Sequence, residues 1–407
     1  MTRAAWRIGF VLGLDWNEPG GVQRVTAQLA REFMRQGHSV FVLSLSSAGD
    51  SRRMLAGVHL QELMLPEAAE SARDLDRNPR LERLALAWCV DNELDVIHLQ
   101  HLSGFGLGLP KRLRELGRPT FLSLHDDWLV CPRGQMWHVD DHSCEEIVPE
   151  TCSACWTRTW PKLQEMEPSA VQDRLQLARD AVSACEEVFV PSQAAREVAL
   201  AWGAPADSLS VLENPVQALR APADRIEFDP ECIRIGVLGS VQPSKGVLPF
   251  ARWIVELGAP FQLEIHGPRV PYHGDGRELE ELQTLVDSSA RVRTHGTYDA
   301  LELPGILSQL HLVCVPSLWH EVHGLVAREA RQAGLAVFVS DRGGLRSAPA
   351  HVLPAGDGEA WKQALQRFAS DAEWRAALVQ QAPEFLAPAQ AAQALLGRYG
   401  AAMDGDA

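Results

Sequence analysis

The sequence predicts an α/β protein of two doubly wound domains, each a mostly parallel sheet covered by helices. Three observations carry this. At 407 residues the chain is too long for one ordinary core. Short apolar runs alternate with segments whose apolar residues recur at spacings of three and four, which is the βαβ pattern. That alternation stops at a stretch rich in Ala, Pro and charge, 217–230, and then starts again. The boundaries that follow are a first domain over 1–216, a linker over 217–230, a second domain over 231–385 and a closing helix within 386–407.

The first strand is expected at 6–12, and a loop then leads to Gly20-Gly21. Val22, Val25, Leu29 and Phe33 mark the apolar face of a helix closed by Gly37, and the second strand follows at 38–43. Further strands are expected at 95–100, 120–124, 187–190 and 210–212, with helices within 105–116 and from Ser192 to about Trp202. In the second array, strands are expected at 233–238, 261–266, 292–295, 312–315 and 336–340. Helices are expected to about Leu257 and over 277–288 and 302–310. The tail from Asp357 is helical with a break near Pro383 or Pro388, and the last helix reaches about Tyr399.

The composition, 46% apolar and 22% charged, is that of a soluble globular protein. With 38 basic and 53 acidic residues the net charge is −15, which opposes binding to nucleic acid. One basic stretch, 110–118, carries Lys111, Arg112, Arg114 and Arg118. It is either a solvated helix face or a weak membrane-surface contact. No apolar run approaches the ~20 residues of a membrane-spanning helix. Arg3 and Arg7 followed by IGFVLGL superficially resemble a signal peptide, but the run soon meets Asp15 and lacks a small-residue cleavage site. A cytoplasmic protein with reduced cysteines is expected, with peripheral association at the inner membrane face as the alternative.

The most informative stretch is SLWHEVHGLVARE, 317–329. It follows a short buried strand, and His323-Gly324-Leu325 opens a helix. Strand, loop, glycine and helix aim free backbone N–H groups and the positive helix end at one spot, an anion site. Glu321 and Glu329 could flank such an anion; alternatively both are solvated surface charges. Lys245 lies in a second strand-to-helix loop, 239–246, where a lone Lys is otherwise simply solvated. Gly20-Gly21 sits at a strand-to-helix hand-over, where ligands bind in open α/β sheets, although a plain tight turn reads the same. His125 ends a strand and is either a site residue or a satisfied structural histidine. Asp126 and Asp127 are adjacent on strand-like backbone, so their side chains point opposite ways and make a poor metal pair.

Four cysteines, Cys131, Cys144, Cys152 and Cys155, fall in CPRGQMWHVDDHSCEEIVPETCSACW, with spacing C-x12-C-x7-C-x2-C. The segment, 131–156, reads as a long irregular loop. A structural Zn²⁺ held by the four thiolates is the leading reading, with His138 and His142 as reserve ligands. Disulfides, unbound thiols or an iron–sulfur cluster are the alternatives. Cys89, Cys185, Cys232 and Cys314 lie in or beside apolar elements and read as core residues.

Seven segments together resemble a known family. They are GGVQRVTAQLAREFMRQGHSV (20–40), DVIHLQH (95–101), SLHDDW (123–128), VFVPSQAAREVALAWGAP (188–205), VLENP (211–215), GSVQPSKG (239–246) and the 317–329 stretch with its E-x7-E. In this order and spacing they resemble the GT-B glycosyltransferases of the family-4 type, over nearly the whole chain. The resemblance implies two Rossmann-like domains facing across a cleft, with the last helix crossing back to the first domain. It implies a retaining transfer of a sugar from a nucleoside diphosphate sugar, UDP- or GDP-linked, without a catalytic metal. The acceptor would be a glycan or a lipid-linked glycan, as in bacterial cell-surface polysaccharide synthesis. Glu329 would hold the ribose hydroxyls and the N–H groups at Gly324 and Leu325 the diphosphate. Glu321 would bind hydroxyls of the transferred sugar, and Lys245 would neutralise the leaving diphosphate. Gly20 and Gly21 would approach the phosphates from the first domain, and His125 would sit by the sugar on the acceptor side.

Three positions depart from the family pattern. Ser240 stands where a basic residue is usual beside Lys245, with Arg133 or Arg269 as possible replacements. His323 replaces an aromatic in the donor-binding stretch. Gly343-Gly344 is followed by Ser347 where an acid is usual. These departures keep two other readings open: a non-catalytic GT-B scaffold and a GT-B sugar-nucleotide epimerase.

Overall fold

The computed structural model describes residues 5–65, 76–163, 166–219, 225–380 and 384–405. They divide into two compact units. One takes in Met1–Val139, Cys144–Pro215 and Leu386–Ala407; the other takes in Asp140–Ser143 and Val216–Phe385.

In the first unit the apolar runs form β1 (Arg7–Asp15), β2 (Ser39–Ser46), β3 (Ser51–Leu55), β4 (Val58–Met64), β5 (Val96–His101), β6 (Thr120–Ser123), β7 (Glu187–Val190) and β8 (Leu209–Val211). They make one sheet in the order β3-β4-β2-β1-β5-β6-β7-β8. Every pairing is parallel except β3 with β4. Most of these strands are near-continuous apolar runs because helices cover both faces, leaving no wet side to demand alternation. The chain winds outward from β1 in one direction and from β5 in the other. The two directions part between β1 and β5, the topological switch point where loops leave a crevice at the carboxyl ends.

The helix Pro388–Asp404 also belongs to this unit. It buries Ala391, Ala392, Leu395, Leu396, Tyr399 and Gly400. Tyr399 lies among Phe33, Phe121 and His98, with ring centroids 5.9, 4.8 and 5.9 Å away. Its hydroxyl is 2.5 Å from His98 Nδ1, and His98 Nε2 is 2.9 Å from Ser123 Oγ. Burial first, and then the neighbouring His125, push the His98 pKa down to about 3, so this ring is a neutral bridge.

In the second unit β9 (Ile233–Leu238), β10 (Phe261–His266), β11 (Val292–Gly296), β12 (Leu312–Val315), β13 (Ala336–Ser340) and β14 (His351–Leu353) form an all-parallel sheet, ordered β11-β10-β9-β12-β13-β14. Its switch point lies between β9 and β12. One apolar cluster, with Phe250, Trp361 and Phe368, and another, with Leu310, Ala327 and Leu345, complete the core of this unit. The fold is GT-B in class, two Rossmann-like α/β domains.

Several elements differ from expectation. The hairpin β3–β4 was not anticipated. Its two-residue turn, Ala56-Gly57, has both φ angles positive (48° and 89°), as a type I′ turn requires. Ala is a poor signal for that geometry, so the turn is silent in the sequence. The helix Pro79–Asp91 was also missed, despite a legible start: Asn78 caps Leu81 N–H and Pro79 takes the first position. The cysteine segment is not irregular throughout, because its end enters the helix Pro149–Thr159, and a further helix spans Pro168–Ser183. The predicted linker shows neither helix nor strand over 217–219 and 225–230; residues 220–224 lie outside the described residues, as does Pro383. Pro388 opens the last helix.

Candidate active site

Both switch points gather the residues singled out in the sequence, each within its own unit. In the second unit β9 runs out into Gly239-Ser240, and a single turn, Pro243–Lys245, leads into the helix Val247–Leu257. β12 ends beside it and runs into the loop before the helix Leu325–Gln332. The two loops are joined by backbone: Leu318 N–H and Trp319 N–H both donate to Ser244 O, at 2.7 and 3.3 Å. Gly246 permits this approach. Its φ is 66°, and a Cβ there would stand 2.2 Å from Pro316 O.

That closeness brings Lys245 to Glu321. The Lys245 ammonium donates to Glu321 Oε1 at 2.5 Å, and Ser317 Oγ donates to the same oxygen at 2.7 Å. The ammonium also lies 4.9 Å from the centre of the Trp319 ring. Burial alone would raise the Glu321 carboxyl. The Lys245 charge and the bonds from Lys245 and Ser317 outweigh it and hold the group below its ordinary value. A buried, ionised carboxylate paired with a cation therefore stands at the carboxyl edge of the sheet.

Gly324 caps the following helix with φ 78°, and a Cβ there would meet Leu345 Cδ2 at 2.3 Å. The first N–H groups of that helix, from Leu325 onward, have no earlier helical carbonyl to bond. Glu329 is buried one turn further on, and His323 is buried in the loop before the cap. Gly343 and Gly344 pack directly under the loop: Gly344 N–H donates to Glu321 O at 2.6 Å, and a Cβ on Gly343 would be 2.2 Å from that same oxygen. Ser347 accepts from Arg328 at 3.3 Å, and Arg328 also donates to His323 O. The replacement of the usual acid by Ser347 thus leaves a hydrogen-bonded position. The two suggested basic replacements have partners within their own units. Arg133 is buried and donates to Trp137 O and Thr159 Oγ1 in the first unit, and Arg269 donates to Thr294 and Gln283.

In the first unit Gly20 caps the helix Gly21–Arg35 beyond the end of β1, and Gln23 folds back to donate to Asp15 O at 3.0 Å. A Cβ on Gly20 would collide with the Gln23 side chain at 2.3 Å, so the glycine makes room for this loop closure. His125 follows β6, and its Nε2 lies 3.0 Å from the Gln100 side-chain amide. Asp126 turns the other way. It accepts from Trp128 N–H at 2.9 Å and lies 3.2 Å from His101 Nε2. Ser103 N–H donates to His101 Nδ1 at 3.2 Å, so the proton of that ring sits on Nε2 and points at Asp126. Burial tends to raise the Asp126 carboxyl, but His101 and the Trp128 N–H bring it below its ordinary value. Asp127, by contrast, is pushed up to about 8, by burial and then by the charge of Asp126, and its Oδ2 has no hydrogen-bond partner.

Sequence reasoning missed Gln100, His98, Ser317 and Trp319. A signal existed for the first two: His98 and Gln100 interrupt an apolar strand at alternate positions, and a buried polar residue in such a strand needs a partner.

The zinc expectation for Cys131, Cys144, Cys152 and Cys155 finds no support in the geometry. None of the four is in a disulfide. Burial pushes Cys131 up to about 11 and, with neighbouring thiols adding to it, Cys144 and Cys152 to about 12. Among the described residues no group of three or more His, Cys, Asp or Glu side chains is arranged to hold a metal ion. Cys152 and Cys155 lie three apart on the helix Pro149–Thr159, beside Trp156, Leu163, Met166 and Val171, and Cys131 and Cys144 pack against the main core, with the four thiols near enough to act on one another. The basic stretch is also partly committed, since Arg112 pairs with Glu82 at 3.2 Å and Arg114 donates to Ser183 O. Among the described residues no helix is long and apolar enough to cross a membrane.

The profile described as Glycosyltransferase Family 4 matches residues 19–218, and that described as Glycosyl transferases group 1 matches residues 232–371. The chain belongs to glycosyltransferase family 4. Within that family it is similar to the phosphatidyl-myo-inositol mannosyltransferase of Mycolicibacterium smegmatis, 25% identical over 386 residues, covering 93% of this chain and 88% of the relative. It is also similar to the D-inositol 3-phosphate glycosyltransferase of Corynebacterium urealyticum, 32% identical over 168 residues, 38% of each chain. In fold this glycosyltransferase resembles Anabaena HepE in complex with UDP and glucose, with TM-score 0.70, 15% identity and coverage of 97% and 99% of the two chains. The sucrose-phosphate synthase of Thermosynechococcus elongatus gives TM-score 0.73 at 18% identity, covering 98% of this chain and all (100%) of that one.

Proposed function

We propose that this glycosyltransferase moves a hexose from a nucleoside diphosphate sugar to a glycan or lipid-linked acceptor, with retention of anomeric configuration. The observation that carries the reading is the half-buried Lys245 paired with buried Glu321 beside the Gly324 helix start, at the switch point of the second sheet. A diphosphate needs a cation and converging N–H groups, and Lys245 and the helix start are of that kind. A sugar needs fixed carboxylate acceptors for its hydroxyls, a role suited to Glu321. Glu329, buried one turn into the helix, takes the two ribose hydroxyls.

In this reading Lys245 meets the negative charge that grows on the leaving diphosphate as the sugar becomes oxocarbenium-like. No side chain is assigned as nucleophile, so the transfer is a front-face displacement in which the leaving group helps to deprotonate the acceptor. His125 lines the acceptor side in the first unit. Support for a nucleotide-sugar donor comes from HepE, whose structures hold UDP or UDP-glucose, and support for a lipid-linked acceptor from the phosphatidyl-myo-inositol mannosyltransferases. UDP- and GDP-sugars are the first donors to test.

The test is a thermal-shift panel of UDP, GDP and ADP and their sugars on the wild type and on Glu329→Ala. One nucleotide should stabilise the wild type, and its sugar should be consumed when acceptors are supplied. Glu329→Ala should lose the stabilisation. A wild type that binds none of the nucleotides, or a Glu329→Ala variant that binds as well as wild type, would overturn the site assignment. Binding followed by conversion of the sugar without an acceptor would point to an epimerase.

A further inference from the structure

Two polar rungs cross between β5 and β6 in the first unit. His98 meets Ser123 at 2.9 Å, and two residues further along both strands Gln100 meets His125 at 3.0 Å. The strands are parallel with His98 opposite Phe121, so both rungs lie on one face of the sheet. Gln100 is fully buried. One end of its amide faces two groups, His125 Nε2 at 3.0 Å and Thr26 Oγ1 at 3.4 Å; the other end has no hydrogen-bond partner.

Proton counting decides which end is which. The oxygen and nitrogen of a glutamine amide are told apart only by their partners. Thr26 has one hydroxyl proton, and it goes to Val22 O at 2.8 Å, so towards Gln100 this hydroxyl can only accept. The amide end facing Thr26 is therefore the NH₂. Its two protons then serve Thr26 Oγ1 and His125 Nε2, and the end without a partner is the carbonyl. A buried carbonyl lacking a partner is tolerated better than a buried N–H lacking one. His125 Nε2 accordingly accepts, and the ring proton is on Nδ1.

We infer that Gln100 is a positioning residue that, backed by Thr26, locks His125 as the neutral Nδ1–H tautomer with its Nε2 lone pair already engaged. The consequence rests on the reading of His125 as a group facing the sugar or acceptor. His125 then takes part as a neutral hydrogen-bonding ring, and it does not accept the acceptor's proton at Nε2. Titratable groups around this ring include His98 and Asp126, and Glu213 lines the same pocket. His98 is a neutral bridge and Asp126 is engaged by His101 and Trp128 N–H, so neither takes over the role of Gln100.

The test is long-range ¹H–¹⁵N NMR on full-length protein labelled at histidine nitrogens, with the His125 signals assigned by their loss in His125→Asn. The wild type should show the proton on Nδ1 at neutral pH. Gln100→Glu, whose carboxylate can only accept, should move the proton to Nε2 and raise the His125 pKa by about one unit or more. Thr26→Val, which keeps the volume and removes the acceptor that orients the amide, should give a mixture of tautomers even if Gln100→Glu folds poorly. An Nε2–H tautomer in the wild type, or a Thr26→Val spectrum identical to wild type, would overturn the inference. Turnover of His125→Ala is read separately. Full activity there refutes the role of His125 in transfer and leaves the tautomer result standing.

Discussion

Lys245→Ala should expose how much of the second unit's site is held by one ion pair. The substitution leaves the Glu321 side chain, 10% exposed, stripped of its cation, with Ser317 Oγ still donating to it. Breaking a fully buried pair costs roughly 3–5 kcal/mol; the Lys245 side chain is 25% exposed, so water shares the load and roughly 2–3 kcal/mol is expected. In a unit of this size that is a fall of about 5–10 °C in Tm. Glu321→Gln added to Lys245→Ala removes the stranded charge and should recover most of the loss, a coupling that a double-mutant cycle reads directly. The deficit should also depend on pH. Glu321 has its folded pKa held below the ordinary 4.5, so the pair's contribution is present above that value and disappears as pH falls through the folded one. The Lys245→Ala deficit should accordingly shrink in acid. Turnover should drop by about 10²–10³, the usual cost of one strong transition-state contact. A Tm within about 1 °C of wild type together with turnover within about threefold would refute both the energetic and the catalytic reasoning.

Two further perturbations probe neighbouring features. Gly246→Ala places a Cβ 2.2 Å from Pro316 O at a φ of 66°, and a backbone oxygen cannot swing aside. A loss of more than about 1 kcal/mol, with a fall in turnover as Lys245 shifts, is expected from melting curves and kinetics, and wild-type values in both would show that the loops are not clamped together. Asp127 has a folded pKa of about 8 against an ordinary 3.8, so the unfolded chain releases this proton first and stability falls as pH rises between those values. Asp127→Asn cannot titrate and should gain stability over wild type across that window, then hold the gain above about pH 8; a difference that stays constant from pH 4 to 8 would contradict the buried, protonated carboxyl.

The parts of the fold that were legible share a cause. β1, β9 and β12 are buried on both faces, so each reads as an apolar run, and each hands over to a helix through glycine, which a positive φ favours after β9 at Gly246 and after β12 at Gly324. Lys245, Glu321 and Gly324 were accessible to reasoning because they stand at those hand-overs. What stayed hidden depends on partners distant in sequence. Gln100 means little until His125, 25 residues on, lies beside it. The close contact of Lys245 with Glu321 spans 76 residues and arises from a backbone clamp that no local pattern announces. The four cysteines are legible as a spacing but not as an environment: the helix carrying Cys152 and Cys155 turns both toward an apolar cluster, and spacing alone does not say which way a helix faces.

The docking of Tyr399 against His98 has a consequence for biosynthesis. The two residues are 301 apart, and the slot between Phe33 and Phe121 is built long before the helix that fills it exists. At about 5–20 residues per second a ribosome reaches Tyr399 roughly 15–60 s after His98. From completion of β8 until the last helix arrives, the nascent first unit has this slot without its occupant, while the second unit is being made. A chain stalled before 386 would leave the slot uncovered, a surface that a chaperone or a protease can read. Arrival of the last helix therefore marks completion of the first unit, and its folding is tied to successful translation of everything in between.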